Sequence, residues 1–316
     1  MVDPLSLAQI EHAARTLDPV FGNTPQYLDA ALSRRIGGDT VVKIETLNPI
    51  RSFKGRGAGT LMRGLPSGET VVCASAGNFG QAVAYCGAAR GIAVRVFAAT
   101  DANAAKVARM RELGAEVTLT GADFDAAKDA ARTWAAEHGA RYVEDGREPP
   151  IAEGAATIGV ELAPLGLDAV VLPVGNGALI TGVGRWLKEH APRTRVIGVC
   201  AAEAPAMAAS FRAGRAVPTA SARTMADGIA VREPVPEAVA WMETTVDEIL
   251  LVGEGSLAEA LRVVRDTVGL LLEPAGAAGV AALLQYGFPG GTVGTVLTGG
   301  NLAPGLRAEL TGAATG

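Results

Sequence analysis

A lysine lies between an aromatic residue and two glycines in residues 52–58. An alternating apolar pattern typical of a half-buried strand precedes it and a helical pattern follows, which predicts that Lys54 lies in the first helical turn. The positive end of the helix dipole disfavours an ammonium there and favours a nucleophilic amine able to form a Schiff base. Gly55 and Gly57 permit close approach of backbone or of a cofactor, and Phe53 offers a flat apolar face. A surface lysine beside a glycine turn is the alternative.

Two glycine-containing turns each follow a predicted strand and open a predicted helix. They are residues 75–81, Ser-Ala-Gly-Asn-Phe-Gly-Gln, and residues 173–179, Pro-Val-Gly-Asn-Gly-Ala-Leu. Free backbone N–H groups and the helix dipole allow such turns to bind anions without a lysine or arginine. At the first turn, the alternative is that Ser75 or Asn78 is a simple N-cap.

A third turn, residues 297–301, reads Leu-Thr-Gly-Gly-Asn and follows the last predicted strand. Together with residues 52–58 and the two earlier turns, it resembles in type and order the pyridoxal-phosphate enzymes of fold type II, the tryptophan synthase β-subunit family. The resemblance runs from about Thr24 to about Asn301. Within that family the chain is similar to the threonine/serine dehydratase and serine racemase branch.

The resemblance implies a role for each motif. Lys54 would hold pyridoxal 5′-phosphate and be the catalytic residue, Asn78 would reach the cofactor's 3′ oxygen, and Thr298 would meet the pyridine nitrogen. The residues implied to bind the cofactor are Phe53, Lys54, Asn78, Gly175, Asn176, Gly177, Ala178, Leu179, Gly228, Glu273 and Thr298. The residues implied to bind the substrate are Ser75, Ala76, Gly77, Asn78 and Phe79.

Four of these positions carry further expectations. Asn176 and Ala178 stand where the family usually has glycines, and both are small enough to keep the phosphate loop. Glu273 resembles a family acid close to the cofactor ring, although it equally suits a cap of the following helix. The hydroxyl of Thr298 either meets the pyridine nitrogen or only caps the next turn. A hydroxyl cannot hold a full positive charge on that nitrogen, so the ring is a weaker electron sink and elimination is favoured over transamination.

Several departures from the family pattern narrow the chemistry. Ala76 replaces the serine that reprotonates Cα in serine racemases, which predicts elimination rather than racemisation because alanine carries no proton. Cys200 and Ala206 stand where related enzymes place carboxylates, which predicts no Mg or Ca site. Arg51 lies where dehydratases usually show a Thr-Gly pair. It either faces solvent or pairs with an acid, or it favours an anionic or unusual β-substituent.

Alternating strand and helix patterns predict an α/β fold with two open twisted sheets flanked by helices. By resemblance, the cofactor lies in the cleft between a large domain, residues 1–68 and 148–316, and a small mobile domain, residues 69–147. Residues 217–233 have no clear period and are predicted to form a loop at the site. The predicted strands are 71–74, 94–98, 117–119, 141–143, 169–173, 195–200 and 292–298. The predicted helices are 5–17, 81–90, 102–113, 124–138, 151–162, 179–189, 201–209, 255–268 and 275–284.

Composition excludes other classes of function. The net charge is −5 with a pI near 5.4, and no basic run is present, which argues against nucleic-acid binding. A hydrophobic content of 49% is ample for a core, and no stretch reaches about 18 apolar residues in a row. We therefore expect a cytoplasmic enzyme with a small amino-acid substrate, no membrane partner and a homodimeric assembly. Cys73, Cys86 and Cys200 lack metal-type spacing and are predicted to be buried free thiols.

The motifs predict an ammonia-lyase that removes the β-hydroxyl of a serine- or threonine-type amino acid. One alternative is β-replacement, as in relatives of cysteine synthase, in which a nucleophile attacks the dehydrated substrate. A second is a dehydratase for an unusual β-substituted amino acid. A catalytically silent binding protein of the same fold is disfavoured because Lys54, Asn78 and Thr298 are all present.

Overall fold

The computed structural model describes residues 4–312, so the outermost residues of the predicted large domain, 1–3 and 313–316, lie outside the described part. The strands are β1 (Gln26–Leu28), β2 (Asp39–Ile44), β3 (Thr70–Ala74), β4 (Ala93–Ala98), β5 (Glu116–Leu119), β6 (Arg141–Tyr142), β7 (Ala169–Pro173), β8 (Arg195–Ala201), β9 (Glu248–Val252) and β10 (Thr292–Leu297). The helices are α1 (Leu7–Thr16), α2 (Ala30–Ile36), α3 (Lys54–Arg63), α4 (Asn78–Ala88), α5 (Ala104–Glu112), α6 (Phe124–His138), α7 (Pro149–Ala155), α8 (Thr157–Leu162), α9 (Ala178–His190), α10 (Ala206–Ala213), α11 (Pro236–Thr245), α12 (Glu254–Thr267), α13 (Ala278–Tyr286) and α14 (Pro304–Thr311). Short 3₁₀ helices cover Ala163–Leu165, Asp227–Ile229 and Pro274–Ala277.

The described strands form two sheets, which confirms the predicted α/β fold class. The larger sheet has the order β1-β2-β10-β7-β8-β9, and the smaller has the order β5-β4-β3-β6. Every strand pair in the described chain is parallel except β1 with β2. In parallel sheets the carboxyl ends of the strands lie at one edge, and ligands bind there. The turns after β3, β6, β7 and β10 all leave from such ends.

Apolar strands and small-residue helices build the core. All five residues of β7 are buried, as a parallel strand with helices on both faces requires. Cys73, Cys86 and Cys200 are buried free thiols, as predicted, and burial raises the pKa of each to about 12. Among residues 4–312, no helix has the length and apolarity needed to cross a membrane.

Two predicted helices were wrong in detail. The helix expected over 151–162 is divided into α7 and α8, because the Thr157 hydroxyl donates to the Gly154 carbonyl at 2.7 Å and competes with the helical pattern. The helix expected over 201–209 begins only at Ala206. Ala201 instead pairs with Val252 as the end of β8, so strand pairing overrides the helix propensity of alanine.

Candidate active site

Lys54 is the first residue of α3, as predicted, and its side chain is mostly buried. Its Nζ lies 2.5 Å from Oδ2 of Asp145, and it stands 4.7 Å from the centre of the Phe53 ring. The ion pair and the aromatic face fix the amine at the carboxyl-end edge of the smaller sheet. The alternative of an exposed surface lysine is therefore wrong.

Asp145 was missed by the sequence analysis. It follows β6 closely, and its Oδ1 is buried without a hydrogen-bond partner in the described chain. The available signal was position alone, because a polar residue just after a parallel strand reaches the edge where ligands bind. Its buried carboxylate makes Asp145 the direct counter-ion of Lys54.

The glycines around Lys54 bring the chain itself into close contact. A Cβ at Gly57 would lie 2.6 Å from the Ile151 carbonyl oxygen, so α3 packs directly against α7. A Cβ at Gly55 would clash with the Phe21 ring. These two glycines therefore fix the position of α3, and in the described chain the close approach is made by protein atoms.

A buried charge network holds the same helix two residues after Lys54. Arg56 is fully buried, and its guanidinium donates to both carboxylate oxygens of Glu45 at 2.7 and 2.8 Å. It also donates to Glu161 at 2.6 Å and to the Thr157 hydroxyl at 2.9 Å. Lys43 Nζ completes the network, 2.5 Å from Glu161. The bidentate geometry ties the first turn of α3 to β2 and α8.

The turn after β3 has both of its predicted features. Helix α4 begins at Asn78, and the Ser75 hydroxyl accepts N–H groups from Gly77 at 3.2 Å and Gly80 at 2.9 Å. Ser75 thus acts as a local cap, as the alternative interpretation held. The Asn78 side chain instead points across the site, where Oδ1 accepts from Asn301 Nδ2 at 2.7 Å and Nδ2 donates to Glu273.

Glu273 is only 3% exposed and receives the amide of Asn78. Its side chain caps no helix in the described chain. Burial raises the pKa of this carboxyl to about 7, and Asp227 adds to the increase, while Lys106, Asn78 and Lys54 oppose it. A Cβ at Gly299 would overlap the carboxylate, so the glycine of the third turn leaves room for Glu273.

Glu273→Gln should make the protein relatively more stable as pH rises. The folded-state pKa of about 7 lies above the ordinary 4.5, so the protonated form stabilises the wild type at low pH and that contribution is lost through pH 7. We expect the unfolding free energy of the variant to gain about 2 kcal/mol on wild type between pH 5 and pH 8. Thermal melts across this range provide the measurement. Glu137→Gln on exposed α6 is the control, and parallel pH curves for wild type and Glu273→Gln would contradict the assignment.

The turn after β7 leaves backbone groups for a ligand. Helix α9 begins at Ala178 after Gly177, whose φ is +94°, and no described side chain caps it. A Cβ at Gly175 would lie 2.7 Å from the Gly228 carbonyl oxygen, so the predicted loop residue Gly228 packs on this turn. A Cβ at Gly146 would overlap Asn176, so the segment after Asp145 also encloses the turn. The side chains of Ala178 and Leu179 are buried in the core, which leaves their backbone alone for phosphate.

Thr298 comes directly after β10 and is 4% exposed. Its carbonyl accepts the Phe53 N–H at 3.1 Å, whereas its hydroxyl makes no hydrogen bond to any described residue. The alternative that Thr298 only caps its turn is not what the structure contains. A buried hydroxyl without a protein partner fits the predicted contact with a ring nitrogen.

The remaining predicted substrate residues differ in what they offer. The Phe79 ring is buried in the core beneath the smaller sheet, so Phe79 can contribute only its backbone. Ala76 and Gly77 are half-buried. Lys106 of α5, which the sequence analysis missed, has its Nζ 4.0 Å from where a Gly77 Cβ would lie and forms an ion pair with Asp227.

A profile of the family described as "Pyridoxal-phosphate dependent enzyme" matches residues 17–299. The chain belongs to the pyridoxal-phosphate-dependent enzyme family. The match contains Lys54 and the turns at 75–81 and 173–179, and it confirms the family and the cofactor predicted from them. For this family the site fits its cofactor well, with uncapped amides for the phosphate, close-packed glycines around it and the unpartnered hydroxyl of Thr298.

Named relatives of this pyridoxal-phosphate enzyme are ammonia-lyases. An L-threonine ammonia-lyase of Thermotoga maritima is 37% identical over 304 residues, covering 94% of this chain and 76% of that protein. One from Geobacter sulfurreducens is 37% identical over 278 residues, covering 85% and 69%.

Solved structures of similar proteins include threonine deaminases. The processed threonine deaminase isoform 2 of Solanum lycopersicum has a TM-score of 0.88 at 29% identity, covering 99% of this chain and 90% of that one. A second threonine deaminase, from the organism abbreviated T.th., has a TM-score of 0.89 at 31% identity, covering 94% and 99%. These likenesses confirm the fold type II architecture.

Proposed function

We propose that this protein is an ammonia-lyase that uses pyridoxal phosphate to remove the β-hydroxyl of a serine- or threonine-type amino acid, giving a 2-oxo acid and ammonia. The observation that carries the proposal is Lys54, buried at the start of α3 beside the three anion-binding or ring-contacting turns. The extent of identity to two L-threonine ammonia-lyases supports this reaction.

Each element of the site has a task in this reaction. The amides of residues 175–179 bind phosphate and the turn at 75–79 binds the substrate carboxylate, as helix N-termini favour. When bound, pyridoxal phosphate supplies the electron sink for charge at Cα. Lys54 removes the Cα proton, and Asp145 holds its ammonium in place. Glu273 orients Asn78, and Thr298 offers a neutral partner to the ring nitrogen.

A panel of β-substituted amino acids tests the reaction. The purified holoenzyme is incubated with L-threonine, L-serine, O-acetyl-L-serine and L-alanine, and release of 2-oxo acid and ammonia is measured with and without added sulfide. We expect equal amounts of 2-oxo acid and ammonia from the hydroxy amino acids, and none from alanine. A sulfur-containing amino acid as the main product would instead establish β-replacement.

Ala76→Ser should raise racemisation of L-serine relative to pyruvate formation. Racemisation requires a proton donor on the face of Cα away from Lys54, and a positioned general acid contributes roughly 10²- to 10⁴-fold. We expect the ratio of D-serine to pyruvate to rise about tenfold or more, measured by chiral chromatography. Ala102→Ser, in a half-buried turn elsewhere, is the control. Wild-type enzyme that already makes D-serine as fast as pyruvate would mean that another residue supplies the second base.

We also propose that the two sheets belong to two domains, residues 1–68 with 148–316 and a mobile domain of residues 69–147. Support comes from the separate strand sets of the sheets. Independence from Mg and Ca stays a prediction, consistent with Cys200 buried in β8 and Ala206 at the start of α10. A cytoplasmic location and a homodimeric assembly stay predictions from the sequence.

A further inference from the structure

A cavity of about 330 Å³ adjoins the site on the side of α5. Three cationic residues line it, and no carboxylate of the described chain does. The lining residues that matter here are Arg51, Gln81, Lys106, Arg109 and Asn301. A pocket with this charge favours an anionic ligand group.

The cavity is continuous with the predicted substrate turn. Asn301, in its wall, donates to Asn78 at 2.7 Å and to the Ile50 carbonyl at 2.8 Å. Lys106, also in the wall, has its Nζ 4.0 Å from where a Gly77 Cβ would lie. A group extending from a substrate whose carboxylate lies on that turn therefore reaches the cavity.

A buried polar atom in the wall lacks a partner. Gln81 lies on α4, one turn after Asn78, and is 1% exposed. Its Oε1 is buried and has no hydrogen-bond partner in the described chain. Buried amide oxygens are almost always paired, so this one indicates a donor from a ligand, such as a hydroxyl.

Arg51 provides the uncommitted charge. Its side chain is exposed and makes no ion pair or hydrogen bond with a described residue, whereas Lys106 pairs with Asp227 and Arg109 with Glu112. Arg51 also adopts a φ of +51°, which it shares with only one other non-glycine among residues 4–312. A long side chain held in this disfavoured conformation indicates a functional constraint on the position.

We propose that this cavity binds an anionic group on the substrate's β-carbon, with Arg51 as the specificity-determining residue. The inference rests on the proposed ammonia-lyase function and defines its substrate class as β-hydroxy amino acids with a side-chain carboxylate, such as 3-hydroxyaspartate. The Cα–H and Cβ–O bonds break, Lys54 takes the proton and the hydroxyl leaves as water. Hydrolysis of the dehydrated product consumes one water and gives oxaloacetate and ammonia, with no oxidant or reductant.

The test compares kcat/KM of the holoenzyme for the threo and erythro isomers of 3-hydroxyaspartate with those for L-threonine and L-serine. We expect one hydroxyaspartate isomer to be the best substrate. Arg51→Asn removes the charge yet tolerates a positive φ, and it should lower kcat/KM for that isomer about 10- to 100-fold more than for L-serine. Arg111→Asn makes the same change on an exposed part of α5 outside the cavity and should leave the ratio as it is.

A binding measurement separates this proposal from the reaction. L-Aspartate has no β-hydroxyl to lose, so its dissociation constant from the holoenzyme, followed by the visible spectrum of the cofactor, reports the cavity alone. We expect L-aspartate to bind at least tenfold more tightly than L-alanine, with the difference lost in Arg51→Asn. Turnover of L-threonine with neither this preference nor an Arg51 effect would overturn the anionic substrate and leave the ammonia-lyase in place. Aspartate binding without turnover of any hydroxy amino acid would support the anion site and overturn the proposed reaction.

Discussion

Lys54→Ala should lower kcat on the order of 10⁴-fold or more, because one amine both attaches the cofactor and removes the Cα proton. The other described lysine near the turns, Lys106, is held by its ion pair with Asp227 and cannot take over this position. The variant should also lose the visible absorbance of lysine-bound cofactor. Steady-state assays and absorption spectra provide the measurements.

Borohydride reduction of the wild-type holoenzyme gives an independent result. Reduction should fix the pyridoxyl group to the peptide containing Lys54, as read by peptide mass spectrometry. Lys188→Ala, which removes an exposed lysine paired with Asp247, is the control and should keep both activity and labelling. Labelling of Lys43 or Lys106 in the wild type would refute the assignment of Lys54.

Arg56→Met should lower the free energy of unfolding by about 3–5 kcal/mol, because it leaves Glu45 and Glu161 facing each other in the interior without a cation. Methionine keeps much of the side-chain length, so the loss reports the charge and its hydrogen bonds rather than volume. Chemical denaturation followed by circular dichroism provides the measurement.

Arg63→Met is the matched control for this network. Arg63 lies in the last turn of the same helix and is exposed, so its loss should change stability by less than about 0.5 kcal/mol. Equal stability losses in the two variants would show that the buried network does not stabilise α3. Because α3 begins at Lys54, we expect Arg56→Met to weaken retention of the cofactor as well.

The sequence predicted the site best where short motifs sit at the ends of strands. Lys54 at the start of α3 and Asn78 at the start of α4 followed from an apolar strand, a small-residue turn and a helical pattern. These are local signals, since strand patterns and helix starts depend on neighbours in the chain. The parallel topology then brings the carboxyl ends together without further information.

Contacts made across the fold were not predictable in this way. Asp145 and Lys54 are 91 residues apart, and nothing near Asp145 announces its partner. Strand β9 was missed because a short apolar run does not distinguish strand from helix, and its pairing with β8 decides its structure. The capping role expected for Glu273 was equally local, whereas its actual partner, Asn78, is 195 residues away.

The ion pair of Lys106 with Asp227 connects α5, above the smaller sheet, to the segment that packs on the phosphate turn. Three further ion pairs join the same two regions: Arg232 with Asp125, Lys128 with Glu233, and Arg147 with Glu237. Most of these partners are partly exposed, so dissolved salt screens their attraction, while apolar contacts are not weakened in this way. Any separation of residues 69–147 from the rest would break these pairs first. Ionic strength would therefore set how readily the protein opens to admit substrate, and turnover limited by opening would depend on salt concentration even though the reaction at Lys54 does not.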